Sequence, residues 1–290
     1  MKKRNFLCFL MIVLCIGAWM GYRTFDSFQT DQKAPEIQVQ DTGLILSVQD
    51  SRDQFLQGIS AVDNRDGDVT DSLIVERIRL VDASTGKISV TVAAFDNSGN
   101  VAKAVREATY EDYRSPQISL QKALVFTQGT GFDPLSAIGA WDMVDGDITH
   151  RVRATSMDES SVSEVGIHPI RFRVTNSLGD TTEVEIPVEV VSSGVYNAQL
   201  ELTDYIIYLK KGQSFHERDY LDTFQYGASS VSLNGSLPAY YSLKTYGNVN
   251  YNVPGVYALA YKVTYDRAAA TGYASEDWVG YSRLIVVVEE

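Results

Sequence analysis

Ala61-Val62-Asp63-Asn64-Arg65-Asp66-Gly67-Asp68-Val69-Thr70 recurs 79 residues later as Ala140-Trp141-Asp142-Met143-Val144-Asp145-Gly146-Asp147-Ile148-Thr149. Both stretches read D-x-x-D-G-D-[VI]-T. The flanks keep the same order. Pro35-Glu36-Ile37 matches Pro116-Gln117-Ile118. Asn97-Ser98-Gly99-Asn100 matches Asn176-Ser177-Leu178-Gly179-Asp180 with one residue inserted. Landmarks shared in order mark an internal repeat, and a repeat decides the fold before any single residue does.

Each repeat reads as β. Ser89–Phe95 and Ile170–Thr175 are short β-rich runs that end in Asn-Ser and Gly turn signals. Glu183–Val190 alternates apolar and polar residues, as a half-buried strand does. Pro187 within it points to an edge strand, because proline cannot donate to a ladder. Outside the N-terminal run there is no sustained helical period. Several short strands in so few residues predict small antiparallel sandwiches, so the fold class is all-β.

Lys2, Lys3 and Arg4 precede an apolar run, Phe6 to Tyr22. As a helix the run is roughly 25 Å long, at the short end of what spans a bilayer. The basic flank predicts a cytoplasmic start and an exterior remainder. Gly17 and Ala18 make no convincing A-x-A cleavage site, and Leu14 before Cys15 is not the small residue a lipoprotein needs. An uncleaved signal anchor is therefore expected at about residues 6–22, giving a single-pass cell-membrane protein with its C-terminal domains extracellular. Both cysteines, Cys8 and Cys15, lie in this run. The rest has no thiol, so each domain needs its own core. Residues 23–33 read as a polar linker. The chain closes on Val286-Val287-Val288-Glu289-Glu290, with no wall-sorting signal, so attachment is expected from the N-terminus.

The net charge of −12 disfavours a nucleic-acid partner, whose phosphates need clustered Lys and Arg. Three His and two Cys make zinc and iron–sulfur centres poor candidates.

The repeat resembles the bacterial immunoglobulin-like repeats of Gram-positive surface proteins and some pesticidal crystal toxins, a family whose domain has no assigned function. The family pattern is an F-D-P start, A-x-D-x-x-D-G-D-[IV]-T, then a G-x-Y strand pair. Gly131-Phe132-Asp133-Pro134, residues 140–149 and Gly166–Val174 fit it in the second unit. The first unit fits at 61–70 and 93–100. It lacks the F-D-P start and has Thr85-Gly86-Lys87-Ile88 where G-x-Y is expected. The resemblance implies tandem immunoglobulin-like sandwiches behind the N-terminal transmembrane helix. Their expected limits are 1–33 for flank, anchor and linker, 34–112 for the first repeat and 113–191 for the second. It implies little about activity.

Residues 192–290 lack the acidic motif and carry 14 of the 17 tyrosines. Pro254–Val263 resembles the family's G-x-Y strand, and Trp278–Glu289 reads as a closing strand. Residues 266–277 and 227–238 read as elaborated loops. This predicts a divergent tyrosine-rich β-sandwich domain.

Two residue sets are candidate sites. Asp63, Asp66 and Asp68, with Asp142, Asp145 and Asp147, offer carboxylate oxygens suited to Ca²⁺. The spacing is not that of an EF-hand, since Arg65 and Val144 fall where a donor belongs. Set against this, Asp-Gly-Asp makes turns, with Asp side chains bonding nearby N–H groups and Gly supplying positive φ. Beyond a structural Ca²⁺, no cofactor is expected. Tyr240, Tyr241, Tyr246 and Tyr273 are the candidate ligand contacts, because rings give large contact area for few rotors. Tyr is also a favoured strand residue, so cross-strand pairing accounts for many of them. No enzyme is expected: His150, His168 and His216 are scattered, and no nucleophile motif surrounds them.

The expected function is a membrane-anchored extracellular surface protein. Its two repeats form a stalk, with short junctions at Tyr110–Pro116 and Val191–Val195, that presents a C-terminal binding domain. One alternative is a structural subunit of an envelope assembly that binds a protein partner. Another is a carbohydrate-binding accessory protein.

Overall fold

The computed structural model describes residues 11–21, 31–40, 43–130, 133–156, 164–234 and 236–289. Apart from one N-terminal helix and short helical turns, the described residues are all-β. The chain divides into two compact units, Met1–Tyr113 and Arg114–Glu290. Helix α1 covers residues 11–21 and is exposed along its length, with Cys15 a free thiol on it. Among the described residues no helix is long and apolar enough to cross a membrane. Part of the expected 6–22 anchor, with Cys8 and the basic flank, lies outside the described residues.

The first repeat has seven strands: β1 (Glu36–Val39), β2 (Leu44–Leu46), β3 (Ile59–Asp63), β4 (Gly67–Asp68), β5 (Ile74–Asp82), β6 (Lys87–Phe95) and β7 (Val101–Tyr110). They form a three-stranded sheet, β1-β3-β4, and a four-stranded sheet, β2-β7-β6-β5. All pairings are antiparallel except β2 on β7. The second repeat copies this strand for strand: β8 (Gln117–Leu120), β9 (Val125–Thr127), β10 (Ile138–Asp142), β11 (Gly146–Asp147), β12 (Arg153–Ser156), β13 (Gly166–Thr175) and β14 (Thr181–Val191). Its sheets are β11-β10-β8 and β12-β13-β14-β9, again with one parallel pair, β9 on β14. Three strands facing four is the immunoglobulin-like arrangement.

Pleating explains the cores. Ile88, Val90 and Val92 alternate inward from β6, as Ile170, Phe172 and Val174 do from β13. Val184, Ile186, Val188 and Val190 bury the inner face of β14, as the alternating sequence requires. Pro187 stands opposite Pro169 in the β13–β14 ladder. The other side of β14 is taken by β9 only from Glu189 onward. The strand as a whole is not an edge, and Pro187 sits on its unpaired stretch, where no N–H is needed.

The turn between the last two strands corrects the sequence alignment. Asp96 N–H donates to Asn100 O and Gly99 N–H to Asp96 O; Asn176 N–H donates to Asp180 O and Gly179 N–H to Asn176 O. The match is therefore Asp96 to Asn176 and Asn100 to Asp180 with no insertion inside the turn, and the extra residue lies earlier. Gly86 likewise matches Gly166. Its φ is +68°, and a Cβ there would lie 2.0 Å from Tyr110 O, so only glycine fits. Of the F-D-P start, Gly131 and Phe132 lie outside the described residues. Asp133 caps the turn at Pro134–Ala137 by accepting from Ser136 N–H.

The third module also has seven strands: β15 (Ala198–Leu202), β16 (Ile206–Lys210), β17 (Leu221–Tyr226), β18 (Ser229–Ser232), β19 (Tyr241–Tyr246), β20 (Gly255–Tyr265) and β21 (Trp278–Glu289). The sheet order is β18-β17-β15-β21-β20-β19, with β16 parallel on the far half of β21. The loop after β20 holds one helical turn, α2 (Arg267–Thr271), capped by Asp266 and closed by Gly272.

Strand β16 explains why residues 114–290 form one unit. Its alternate faces point to two cores. Ile206 and Tyr208 pack with the second repeat around Ile118, Ile186 and Val188. Ile207 and Leu209 pack in the third module around Phe224, Leu259 and Tyr261. Strand β21 does the same: Ile285 goes to the first of these cores, and Leu284, Val286 and Val288 to the second. A continuous apolar run such as Leu284–Val288 suits a strand buried on both faces. Polar contacts close the seam. Tyr208 Oη donates to Ile118 O (2.9 Å) and accepts from Ile118 N–H (2.9 Å). Buried Arg283 pairs with Glu189, which also accepts from Tyr281 Oη. The connection after Val191 therefore does not separate two independent cores.

These phenols make the fold sensitive to alkali. Burial, with the Glu189 carboxylate beside it, pushes Tyr281 up to about 12, and burial also raises Tyr208, Tyr241 and Tyr261. Their folded pKa values exceed the unfolded value of about 10. The stability they contribute is fully present below about pH 10 and is lost as pH rises through the folded values. Thermal unfolding followed by tyrosinate absorbance should show Tm roughly constant to about pH 9 and falling above about pH 10.

Candidate functional site

In both repeats the acidic motif is a hydrogen-bonded scaffold. The first Asp caps the tight turn: Asp63 Oδ1 accepts from Arg65 N–H (2.7 Å) and Asp66 N–H (3.0 Å), and Asp142 Oδ1 from Val144 and Asp145 N–H (both 2.9 Å). The second Asp reaches the other sheet: Asp66 accepts from Asn97 N–H (2.8 Å) and Asp145 from Ser177 N–H (2.6 Å). The third holds its own threonine: Asp68 accepts from Thr70 N–H and Asp147 from Thr149 N–H. Each threonine Oγ1 then accepts from the alanine that opens the motif, Ala61 or Ala140. Gly67 and Gly146 supply the left-handed φ that the turn needs. Asp68 and Asp147 are lowered by the hydroxyl and N–H of the threonine two residues on. Burial raises Asp145, but the bonds from Ser177 and Arg151 outweigh it.

The first repeat adds something the motif does not encode. Asp63, buried, faces two further buried carboxylates, Asp31 and Asp96, with one oxygen of each lying within 4.8 Å of the others. Asp63 Oδ2 and Asp31 Oδ2 are buried and accept no hydrogen bond. The N–H groups of Asp66 and Arg65 hold Asp63 below the ordinary carboxylate range. Burial raises Asp96, but Asn100 donates to it from its side chain (2.7 Å) and backbone (2.8 Å), and the net direction is down. In the second repeat the place of Asp96 is taken by Asn176, whose Nδ2 donates to Asp142 Oδ2 at 3.0 Å. Sequence reading missed Asp31 and Asp96. Asp31 stands in a polar segment 32 residues before Asp63, and Asp96 lies one residue outside the turn that was matched.

The candidate tyrosines divide. Strands β19, β20 and β21 place Tyr241, Tyr265 and Trp278 directly opposite one another. Tyr241 stacks on Tyr265 with centroids 4.7 Å apart, and Tyr226 packs on Tyr265 (5.3 Å) and Trp278 (5.6 Å). All four are half-buried. Arg267 lies 5.2 Å from the Trp278 ring. Tyr240, 54% exposed, abuts this aromatic ladder, and its carbonyl accepts from Asp266 N–H. Its φ of +71° is the one left-handed value at a non-glycine among the described residues. Such strain gathers at functional sites. Tyr273, 78% exposed, follows α2 on the same loop as Arg267. Tyr246 is exposed but ends β19, five residues from Tyr241 and so roughly 17 Å away. It does not join the others. Trp278, Tyr226 and Tyr265 were not among the sequence candidates, because pairing across three strands is invisible until register is known.

A cleft of about 450 Å³ lies between the second repeat and the third module, lined by Lys122, Thr127, Glu201, Tyr205, Tyr196 and Tyr281 among others. Tyr196 stacks on Tyr281 at 4.8 Å, 10° from parallel.

No family model matches the chain. An uncharacterized 81.3 kDa protein of Acholeplasma phage L2 is 32% identical over 91 residues, covering 31% of this chain and 12% of that protein. Pesticidal crystal protein Cry22Aa of Bacillus thuringiensis is 28% identical over 153 residues, covering 50% of this chain and 21% of that protein. The chain thus spans only about an eighth to a fifth of the length of these relatives. The CBM51-2 and INT domains of Clostridium perfringens ZmpB align with 57% of this chain and 40% of that one, at 16% identity and TM-score 0.24. Protocadherin Gamma B2 extracellular cadherin domains 1–5 align with 80% and 55%, at 9% identity and TM-score 0.20. Scores this low bear on neither function nor mechanism.

Proposed function

We propose that the chain is a surface-displayed binding protein without enzymatic activity. The apolar run at 6–22 would hold it in the membrane, the two repeats would space it outward, and the third module would bind. The observation that supports this reading is the half-buried ladder Tyr241–Tyr265–Trp278, with strained Tyr240 next to Tyr241 in the chain and exposed Tyr273 in the loop that joins β20 to β21. Flat aromatic faces with one polar rim suit the apolar face of a sugar ring, so the ligand class is a glycan.

A second reading rests on a different observation. Among the described residues strand β19 ends the third module's sheet and pairs on one side only, and an extended protein segment can add there.

The test is a glycan array probed with the whole chain, beside Trp278→Ala and Tyr273→Ala. Hits that weaken at least about tenfold in both variants, a loss of about 1.4 kcal/mol, support glycan binding. A blank array, or hits unchanged in both, overturns it. Loss on Tyr196→Ala instead moves the site to the cleft. A protein partner released by Thr245→Pro would favour the β19 edge.

A further inference from the structure

We propose that Asp31, Asp63 and Asp96 form a Ca²⁺ site in the first repeat. The donors are three carboxylates with no nitrogen or sulfur, which selects a hard cation. One oxygen of each lies within 4.8 Å of the other two, about twice the Ca–O distance of about 2.3–2.6 Å. One cation can therefore touch all three.

The carboxylates are held as ligands are held. Each fixes one oxygen by a short bond of its own turn. Asp63 Oδ1 takes the Arg65 and Asp66 N–H groups, Asp31 Oδ1 takes Lys33 N–H (3.0 Å), and Asp96 Oδ1 takes Asn100 N–H. The second oxygens of Asp31 and Asp63 are buried and accept no hydrogen bond. A buried ionised oxygen without a partner is costly, and clustering three makes it costlier. Arg65 Nε stands 3.7 Å from Asp31 Oδ2, on a side chain 46% exposed. That is one positive charge against three negative ones.

The second repeat is the internal control. It has the same fold and the same first aspartate, yet Asn176 replaces Asp96 and donates to Asp142 Oδ2. There the oxygen is satisfied by protein; in the first repeat it is left for a cation. The site is also smaller and differently composed than the acidic motif suggests. Asp66 and Asp68 are spent on Asn97 and Thr70. Asp31 precedes β1, so a cation would tie that segment to the turns carrying Asp63 and Asp96.

Isothermal titration of the whole chain with CaCl₂ after chelation should show one site, with an affinity of about 10⁻⁴–10⁻³ M as in extracellular modules. Ca²⁺ should raise Tm and protect the segment around Asp31 from proteolysis. Asp96→Asn copies the second repeat: binding should vanish while the Tm of the chelated protein stays equal or rises. Asp31→Asn keeps the Lys33 bond and should also lose binding. Asp142→Asn should bind as the wild type does. Circular dichroism confirms that each variant folds. No heat and no Tm shift with millimolar Ca²⁺, or binding that survives both Asp96→Asn and Asp31→Asn, overturns the assignment.

Discussion

Asp142→Ala should destabilise the unit 114–290 by about 3–5 kcal/mol, read as a fall in its urea midpoint at unchanged slope. The carboxylate is 1% exposed. It satisfies the Val144 and Asp145 N–H groups and the Asn176 side chain. Alanine removes one acceptor group and orphans three donors, and leaving a buried donor unmade costs about 1–3 kcal/mol. Asp142→Asn keeps an oxygen for the turn but opposes its amide to that of Asn176, so its loss should be smaller. Asp63→Ala should cost less than Asp142→Ala when Ca²⁺ is chelated, because it also relieves repulsion with Asp31 and Asp96. A loss below about 1 kcal/mol for Asp142→Ala would show that the motif does not hold the sandwich together.

Arg283→Met should cost a similar amount, about 3–5 kcal/mol, because it strands the Glu189 carboxylate inside the seam. The double variant Arg283→Met with Glu189→Leu should recover most of that loss, since a buried ion pair exchanged for packed apolar groups is near neutral. The second repeat and third module share β16 and β21. Both variants should therefore move a single transition for 114–290 rather than split it in two. Calorimetry that resolves separate transitions for the second repeat and the third module would refute the shared core.

The repeat could be read from the chain because its turns are local. Asp, Gly and Thr satisfy backbone groups within a few residues, so D-x-x-D-G-D-[VI]-T carries its own structural explanation. Strand alternation was equally plain in Glu183–Val190, where pleating alone assigns faces. What escaped were contacts set by register or by distance along the chain. The meeting of Asp31 with Asp63 and Asp96 depends on where the segment before β1 runs. The ladder through Tyr265 and Trp278 depends on three strands aligning. The apolar run Leu284–Val288 announces burial on both faces without saying that one face belongs to a different module. Tyr273, 78% exposed, lies in a loop, while Tyr246, 51% exposed, sits at the far end of its strand, a difference that needs the register of β19.

The wall of β16 and β21 has a consequence for biosynthesis. The second repeat's own strands are complete by Val191, yet its core is sealed only when Ile206 and Ile285 arrive. A ribosome that stops early releases a chain with an open apolar side, which proteases and chaperones recognise. Native packing of residues 114–191 thus requires that translation has run through β21.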